Sequence, residues 1–306
     1  MTLGSADTDR YSYAIDPSSQ TTAAKLLRLV GYGKRVLELG TALGAMTKIL
    51  REAQGCTVVG VECNPETAAI AATWCEKMVV GDVESLDLAE TTGGDFDVIL
   101  AADILEHLVD PWQCLEKLTP LLRPDGYLVI SVPNVAHVGL LAALLQGRFP
   151  YRTKGLLDFT HLRFFTRADL EELLLACGFL PVKWDAYHLS PQETEFSWLW
   201  FALPESIRAW LITREDGDVY QFIVKAIPTT EAASGLKWRQ VLEAKEKELA
   251  SLKARLERVE ADLAEHRKAF AEARELLQVR EQTIAELKIQ LEAKENDQRT
   301  RRWWLK

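Results

Sequence analysis

The sequence predicts a doubly wound α/β domain with a seven-stranded sheet and an antiparallel last strand, followed by a long coiled-coil helix. Three observations predict it. Short β-branched runs alternate with helical patterns from Arg35 to Ala226, the composition changes near residue 230, and beyond that point apolar residues recur at every seventh position.

The runs VLEL (36–39), TVVGVE (57–62), KMVVGD (77–82), FDVILAA (96–102) and GYLVISV (126–132) read as five strands. Helical patterns over Ala42–Gln54, Asn64–Glu76 and Trp112–Leu122 lie between them, and strands joined through helices form right-handed crossovers and a parallel sheet. RADLEELLLACGF, after Thr166, reads as an amphipathic helix ended by Gly178. PVKWDAYHL (181–189) and DVYQFIVKAI (218–227) are close enough to finish the sheet as an antiparallel pair, with one reversed strand at its edge.

PTTEAASG (228–235) has the composition of a linker, which divides the chain into residues 1–230 and 231–306. Beyond it Leu242, Leu249, Leu256, Leu263, Phe270, Leu277, Ile284 and Leu291 form an unbroken seven-residue series. The positions three later are Lys245, Leu252, Val259, His266, Ala273, Arg280, Leu287 and Lys294, only half of them apolar. Such a seam predicts a coiled coil and leaves its stoichiometry open.

The composition excludes several classes. A net charge of −9 gives the whole chain no electrostatic footprint for nucleic acid. No run approaches the ~20 apolar residues that span a bilayer. The polar Met1–Tyr13 stretch lacks the apolar core of a signal peptide, so a cytoplasmic protein is expected. Five cysteines without a CxxC pair read as free thiols of a reducing compartment. The final RTRRWWLK (299–306) combines basic residues with two tryptophans, which suits peripheral contact with a membrane surface.

Chemistry begins at VLELGTALG (36–44), where a strand ends near Glu38 and passes through Gly40 to a helix opened by Gly44. Such a turn lets backbone approach a ligand closely and aims helix N–H groups at it. Glu62 closes the second strand about twenty residues later, where a carboxylate accepts the hydroxyls of a ribose. These features suit either a dinucleotide or S-adenosylmethionine (SAM). GTALG departs from the tighter GxGxxG of dinucleotide sites, and Asp82, ending the third strand, is placed to take an adenine amino group.

Together ELGTALG, VECN, GDVE, DILEHL and GRFPYRTKGLLDFTHLRFFT (147–166) resemble the class I SAM-dependent methyltransferases, which have a Rossmann-like fold. The resemblance spans roughly residues 10–227 and is strongest to the branch of ubiquinone-type O-methyltransferases and methyltransferases of bacterial surface-polysaccharide clusters. It implies that Glu38, Gly40, Thr41 and Gly44 line the methionine end of SAM. Glu62 would hold the ribose, Asp82 and Val83 the adenine, and Asp103 with Ile104 would meet the cofactor after the fourth strand. Ala42 departs from the pattern, standing where many relatives have glycine.

The resemblance implies methylation of a hydroxyl on a glycan or glycolipid intermediate of surface-polysaccharide synthesis. Its rivals are a small phenol- or quinone-like acceptor and a scaffold acting through its coiled coil. A hydroxyl is a poor nucleophile and gains from a general base. Asp103, Glu106 and His107 follow the fourth strand, and Asn134 and His137 follow the fifth. In GLLDFTHLRFFT, His161 is expected as base with Asp158 orienting it, and His137 is a second catalytic candidate. His107, Arg163 and Tyr151 are expected to contact the acceptor. No diagnostic ligand spacing is present, so no metal is expected. The aromatic FSWLWFALPESIRAWLI (196–212) suits a lid, a subunit contact or core packing. The expected partners of the coiled coil are a second copy of the chain or a glycosyltransferase.

Overall fold

The computed structural model describes residues 15–229 and, beyond the linker, helical residues scattered between 250 and 288. The chain divides into two compact units, Met1–Thr230 and Glu231–Lys306.

The first unit is built on seven strands: β1 (Arg35–Leu39), β2 (Thr57–Glu62), β3 (Lys77–Val80), β4 (Phe96–Ala102), β5 (Leu122–Pro133), β6 (Phe179–His188) and β7 (Val219–Pro228). The helices are α1 (Thr22–Val30), α2 (Ala45–Glu52), α3 (Pro65–Ala71), α4 (Leu88–Thr92), α5 (Pro111–Glu116), α6 (Val138–Leu145), α7 (Arg167–Ala176), α8 (Ser197–Ala202) and α9 (Glu205–Ile212). The strands lie in the order β3-β2-β1-β4-β5-β7-β6. Pairing is parallel from β3 through β5, and β7 is antiparallel to both β5 and β6. The reversed strand is therefore β7, one place in from the edge, and β6 forms the edge. An edge position for the reversed strand was the wrong expectation. Sequence alternation says nothing about which of two late strands inserts beside β5.

Each central strand is apolar on both faces, as a strand covered on two sides must be. Leu37, Val59, Ile99 and Leu128 point into one core with α5 and α7. Their neighbours Val36, Val58, Val98 and Val129 point into the other, against Leu26, Leu27 and Val30 of α1 and Leu50 of α2. Burying each such side chain is worth about 1.5–3 kcal/mol before chain entropy is counted.

Short capping residues set the helix ends. Thr166 and Asp169 form a reciprocal capping box at the start of α7, and Gly178 follows it with φ +78°. Asn64 caps α3, with Pro65 at its first position. The pattern over Asn64–Glu76 is divided into α3 and a 3-10 turn over Ala72–Trp74. Helices α1, α4 and α6 have no signal in the alternating pattern; α1 packs on β5 and β7, and α6 on α8.

All five cysteines are free; Cys56, Cys114 and Cys177 are buried, Cys75 is half-buried and Cys63 exposed. Among the described residues no helix is long and apolar enough to cross a membrane. In the second unit the described residues Leu256, Leu263, Phe270, Leu277 and Ile284 are helical and exposed at their seven-residue spacing. The tail 299–306 lies outside the described residues.

Candidate active site at the carboxyl edge of the sheet

The site is set by the turn after β1. Gly40 and Gly44 adopt φ +70° and +79°, a region that costs an L side chain about 1–2 kcal/mol. At Gly40 a Cβ would also overlap Ile104, and at Gly44 it would stand 3.0 Å from the Cα of Ala71. Between them Ala42 takes φ +47°, so the chain tolerates strain where glycine would have none. The turn is held to β2: Gly40 N–H donates to the Val61 carbonyl (2.8 Å), and Ala42 N–H to Glu62 Oε2 (2.8 Å).

Two carboxylates face this turn from below. Glu38 is buried and accepts the Thr47 hydroxyl at 2.7 Å. Burial pushes its pKa up to about 7, against the lowering effect of Thr47, and the nearby Glu62 charge adds to the rise. Glu62 is buried as well, and its second oxygen accepts Asn64 N–H at 3.0 Å. Thr41 presents a buried hydroxyl that has no hydrogen-bond partner among the described residues. Asp82 is exposed beyond β3, its Oδ1 accepting Glu84 N–H, and Val83 is half-buried against the core. The residues proposed from the motifs for one cofactor thus line the ends of β1, β2 and β3. The orphaned Thr41 hydroxyl and the close backbone approach at Gly40 fit a polar ligand seated on this turn.

Asp103, just past β4, completes the floor at φ +52°. Its two oxygens accept the Ser131 hydroxyl (2.6 Å) and the Gln221 amide (3.0 Å), and Gln221 in turn accepts the Thr22 hydroxyl (2.5 Å). Burial raises the Asp103 pKa, opposed by these hydrogen bonds and by His107. Ser131, Gln221 and Thr22 come from β5, β7 and α1, so no local motif announces this network.

The lip expected from GLLDFTHLRFFT folds over the 3-10 turn Leu105–His107. Asp158 Oδ1 accepts the backbone N–H (2.9 Å) and hydroxyl (2.7 Å) of Thr160, fixing the turn. Leu162 and Arg163 N–H both donate to the Glu106 carbonyl, at 2.7 and 3.0 Å. The rings of His107 and His161 meet edge to face with centroids 4.9 Å apart. Nδ1 of His107 lies 3.2 Å from the Thr160 carbonyl, and Nδ1 of His161 lies 3.2 Å from that of Leu156. Fully buried Glu106 stands beside them, and burial together with the Asp103 and Asp158 charges holds its pKa well above the usual carboxylate range. One ligand atom from each of Glu106, His107 and His161 lies within 4.8 Å of the others, a set able to hold a metal ion. Sequence spacing does not reveal that His161 folds onto a turn 54 positions upstream.

His137, Arg163 and Tyr151 lie outside this cluster. His137 is fully buried: its Nδ1 accepts Gly139 N–H at the start of α6, and Nε2 lies 2.8 Å from the Leu189 carbonyl. Burial lowers its pKa. It caps a helix and ties two segments together. Asn134 is likewise structural, its amide donating to the Val219 and Asp216 carbonyls. Arg163 donates to the Val109 carbonyl, pinning the lip rather than reaching toward an acceptor. Tyr151 is exposed and packs edge-on against Phe149, which packs on Phe164. In the 196–212 stretch, Phe196, Leu199, Trp200 and Leu211 are core residues, while Trp198, Phe201 and Trp210 are exposed.

Comparison with known proteins agrees with this geometry. Residues 16–183 match the family model for a methyltransferase domain. Similar curated proteins include the ubiquinone biosynthesis O-methyltransferases of Psychrobacter arcticus and Aeromonas salmonicida. The first is 27% identical over 55% of this chain and 66% of its own length; the second is 26% identical over 54% and 71%. The chain thus spans about two thirds of the first of these relatives. Among solved structures, the CcbJ methyltransferase of Streptomyces caelestis is similar, with a TM-score of 0.48 and 17% identity over 73% of this chain and 96% of its own. The Burkholderia thailandensis 1,6-didemethyltoxoflavin-N1-methyltransferase, crystallised with S-adenosylhomocysteine, has a TM-score of 0.43 and 24% identity over 68% and 76%. The chain belongs to the methyltransferase-domain family and is a SAM-dependent methyltransferase.

Proposed function

We propose that the chain transfers the methyl group of SAM to a hydroxyl oxygen of a small phenol- or quinone-like acceptor. The observation that carries this reading is the titratable cluster of Glu106, His107 and His161 beside Asp103 at the end of β4. Transfer breaks the bond from sulfur to methyl and forms the bond from oxygen to methyl, while the hydroxyl proton must leave. A carboxylate with a raised pKa and two imidazoles form a suitable receiving group for that proton. The names of the curated relatives favour a small ring acceptor over a glycan. Sugar hydroxyls are the second acceptor class to test, since exposed Phe149, Tyr151 and Phe164 form an aromatic surface beside the lip. Exposed aromatic faces of that kind stack on either ring type.

The assay is methyl transfer from labelled SAM to a panel of hydroxylated rings and of sugars. Turnover on phenolic acceptors alone supports the reading, and turnover on sugars alone replaces it with glycan methylation. His161→Ala is expected to leave SAM affinity within about twofold of wild type and to cut turnover about 100-fold. Full activity in that variant would return His161 to a structural role.

Glu38 generates a pH dependence. SAM carries positive charge, so it binds best when Glu38 is ionised, and ionisation grows as pH rises through about 7. SAM affinity is expected to increase about tenfold between pH 6 and pH 8 in wild type, and to stay flat in Glu38→Gln, as read by calorimetry. An unchanged wild-type affinity across that range would separate Glu38 from the methionine end of the cofactor.

The exposed seam Leu256–Leu263–Phe270–Leu277–Ile284 suits association with a second copy as a coiled coil. Sedimentation equilibrium of the full chain is expected to show an oligomer that Leu256→Asp with Leu263→Asp dissociates. A monomer at about 10 µM would contradict it.

A further inference from the structure

We infer that Glu195 is a positioning residue for methyl transfer, fixing the lip at Leu156 and through it the imidazole of His161. The inference rests on the proposed part of His161 in turnover. Glu195 lies in the connection from β6 to β7, 39 positions after Leu156, and no motif joins the two segments.

One oxygen of the Glu195 carboxylate, Oε1, accepts the Leu156 N–H at 2.9 Å. The Tyr220 hydroxyl, from the start of β7, reaches Oε1 at 3.1 Å and Oε2 at 3.0 Å. Burial, and then the Glu195 charge, raise the Tyr220 pKa, so this hydroxyl keeps its proton and donates a hydrogen bond to the carboxylate. The lip runs close against the pair. Gly155 takes φ +97°, and a Cβ there would overlap Glu195 Oε1 and stand 2.9 Å from the Tyr220 hydroxyl oxygen. Only glycine fits where the chain passes this carboxylate. The neighbours of Glu195 are anchored as well: Phe196 is fully buried, and the Thr194 hydroxyl accepts its N–H and donates to the Pro191 carbonyl.

Leu156 is thus held at three points. Its N–H is on Glu195, its side chain packs with Leu140, Phe196 and Leu199, and its carbonyl lies 3.2 Å from Nδ1 of His161. A carbonyl oxygen only accepts, so the His161 Nδ1 that meets it carries a proton. Apolar packing has no direction and leaves the backbone free to rotate within the cluster, whereas a bond from N–H to a carboxylate sets its orientation. Glu195 therefore decides where the acceptor that aims the His161 ring stands. Misplacing a reacting group by about 1 Å costs about 100-fold in rate, so a smaller shift of that carbonyl is enough to be read in turnover.

The test is the imidazole nitrogen NMR signal of His161 in the full chain labelled at histidine, assigned with His161→Ala, together with methyl transfer from labelled SAM to catechol. The expected result is a protonated Nδ1 in wild type and a shifted signal in Glu195→Ala, with kcat lowered about tenfold and SAM affinity within about twofold. Glu195→Gln keeps an oxygen for the Leu156 N–H, and is expected to restore the signal and to bring kcat within about threefold of wild type. Adding Glu195→Ala to His161→Ala is expected to lower kcat no further, since the two residues act as one unit. If Glu195→Ala loses SAM binding, Tyr220→Phe takes its place; removing the hydroxyl that holds the carboxylate is expected to shift the same signal and lower kcat about threefold. An unmoved Nδ1 signal in SAM-competent Glu195→Ala or, failing that, in Tyr220→Phe overturns the inference. So does an equal fall of kcat when Glu195→Ala is made in the His161→Ala background. No turnover of catechol by wild type, or full activity of His161→Ala, would strike the proposed chemistry instead, and the Nδ1 signal then decides the Glu195 inference by itself.

Discussion

β1 has β2 on one side and β4 on the other, so the chain leaves the middle of the sheet in one direction after β1 and returns to start β4 in the other. The connections on the two sides part at the carboxyl edge, and the crevice between them is where ligands bind in sheets of this kind. Every feature of the site depends on that parting. The turn through Gly40 and Gly44 can lie flat against the sheet only because no crossover runs above it. Glu62 and Asp103 then reach the same crevice from the strands on either side.

Charge is distributed along this edge with a gradient of solvation. Asp82 is exposed, Glu62 is buried but accepts backbone N–H groups, and Glu38 has one hydroxyl partner. Neither oxygen of the Glu106 carboxyl has a side-chain hydrogen-bond partner among the described residues. Burial raises the pKa of Glu38 and raises that of Glu106 well above the ordinary value, so the edge holds negative charge poorly until something cationic arrives. The cofactor brings positive charge to the Glu38 end. At the Glu106 end the imidazoles of His107 and His161 stand beside the buried carboxyl.

Much of the fold was legible in the sequence because strands covered on both faces leave continuous apolar runs, and because Gly40, Gly44 and Glu62 mark strand ends by residue type. The helix after Thr166 was legible for a similar reason, since its cap and its C-terminal glycine are local signals. What was not legible depends on pairing across the sheet. β7 inserts between β5 and β6 through hydrogen bonds between strands about 90 positions apart. The Thr22–Gln221–Asp103–Ser131 chain joins four elements that share no motif. His137 and His161 look alike as histidines in loops after strands, yet one is sealed under α6 and the other faces Glu106. Burial separates them, and burial is a property of the packed molecule.

On this reading the carboxyl edge of β1, β2 and β4 holds SAM. Calorimetric titration of the full chain with SAM, and with NAD as control, tests it most directly. It predicts one SAM bound per chain with a Kd in the range of about 1–100 µM and no heat from NAD. A folded protein that binds NAD and not SAM, or neither, would contradict it.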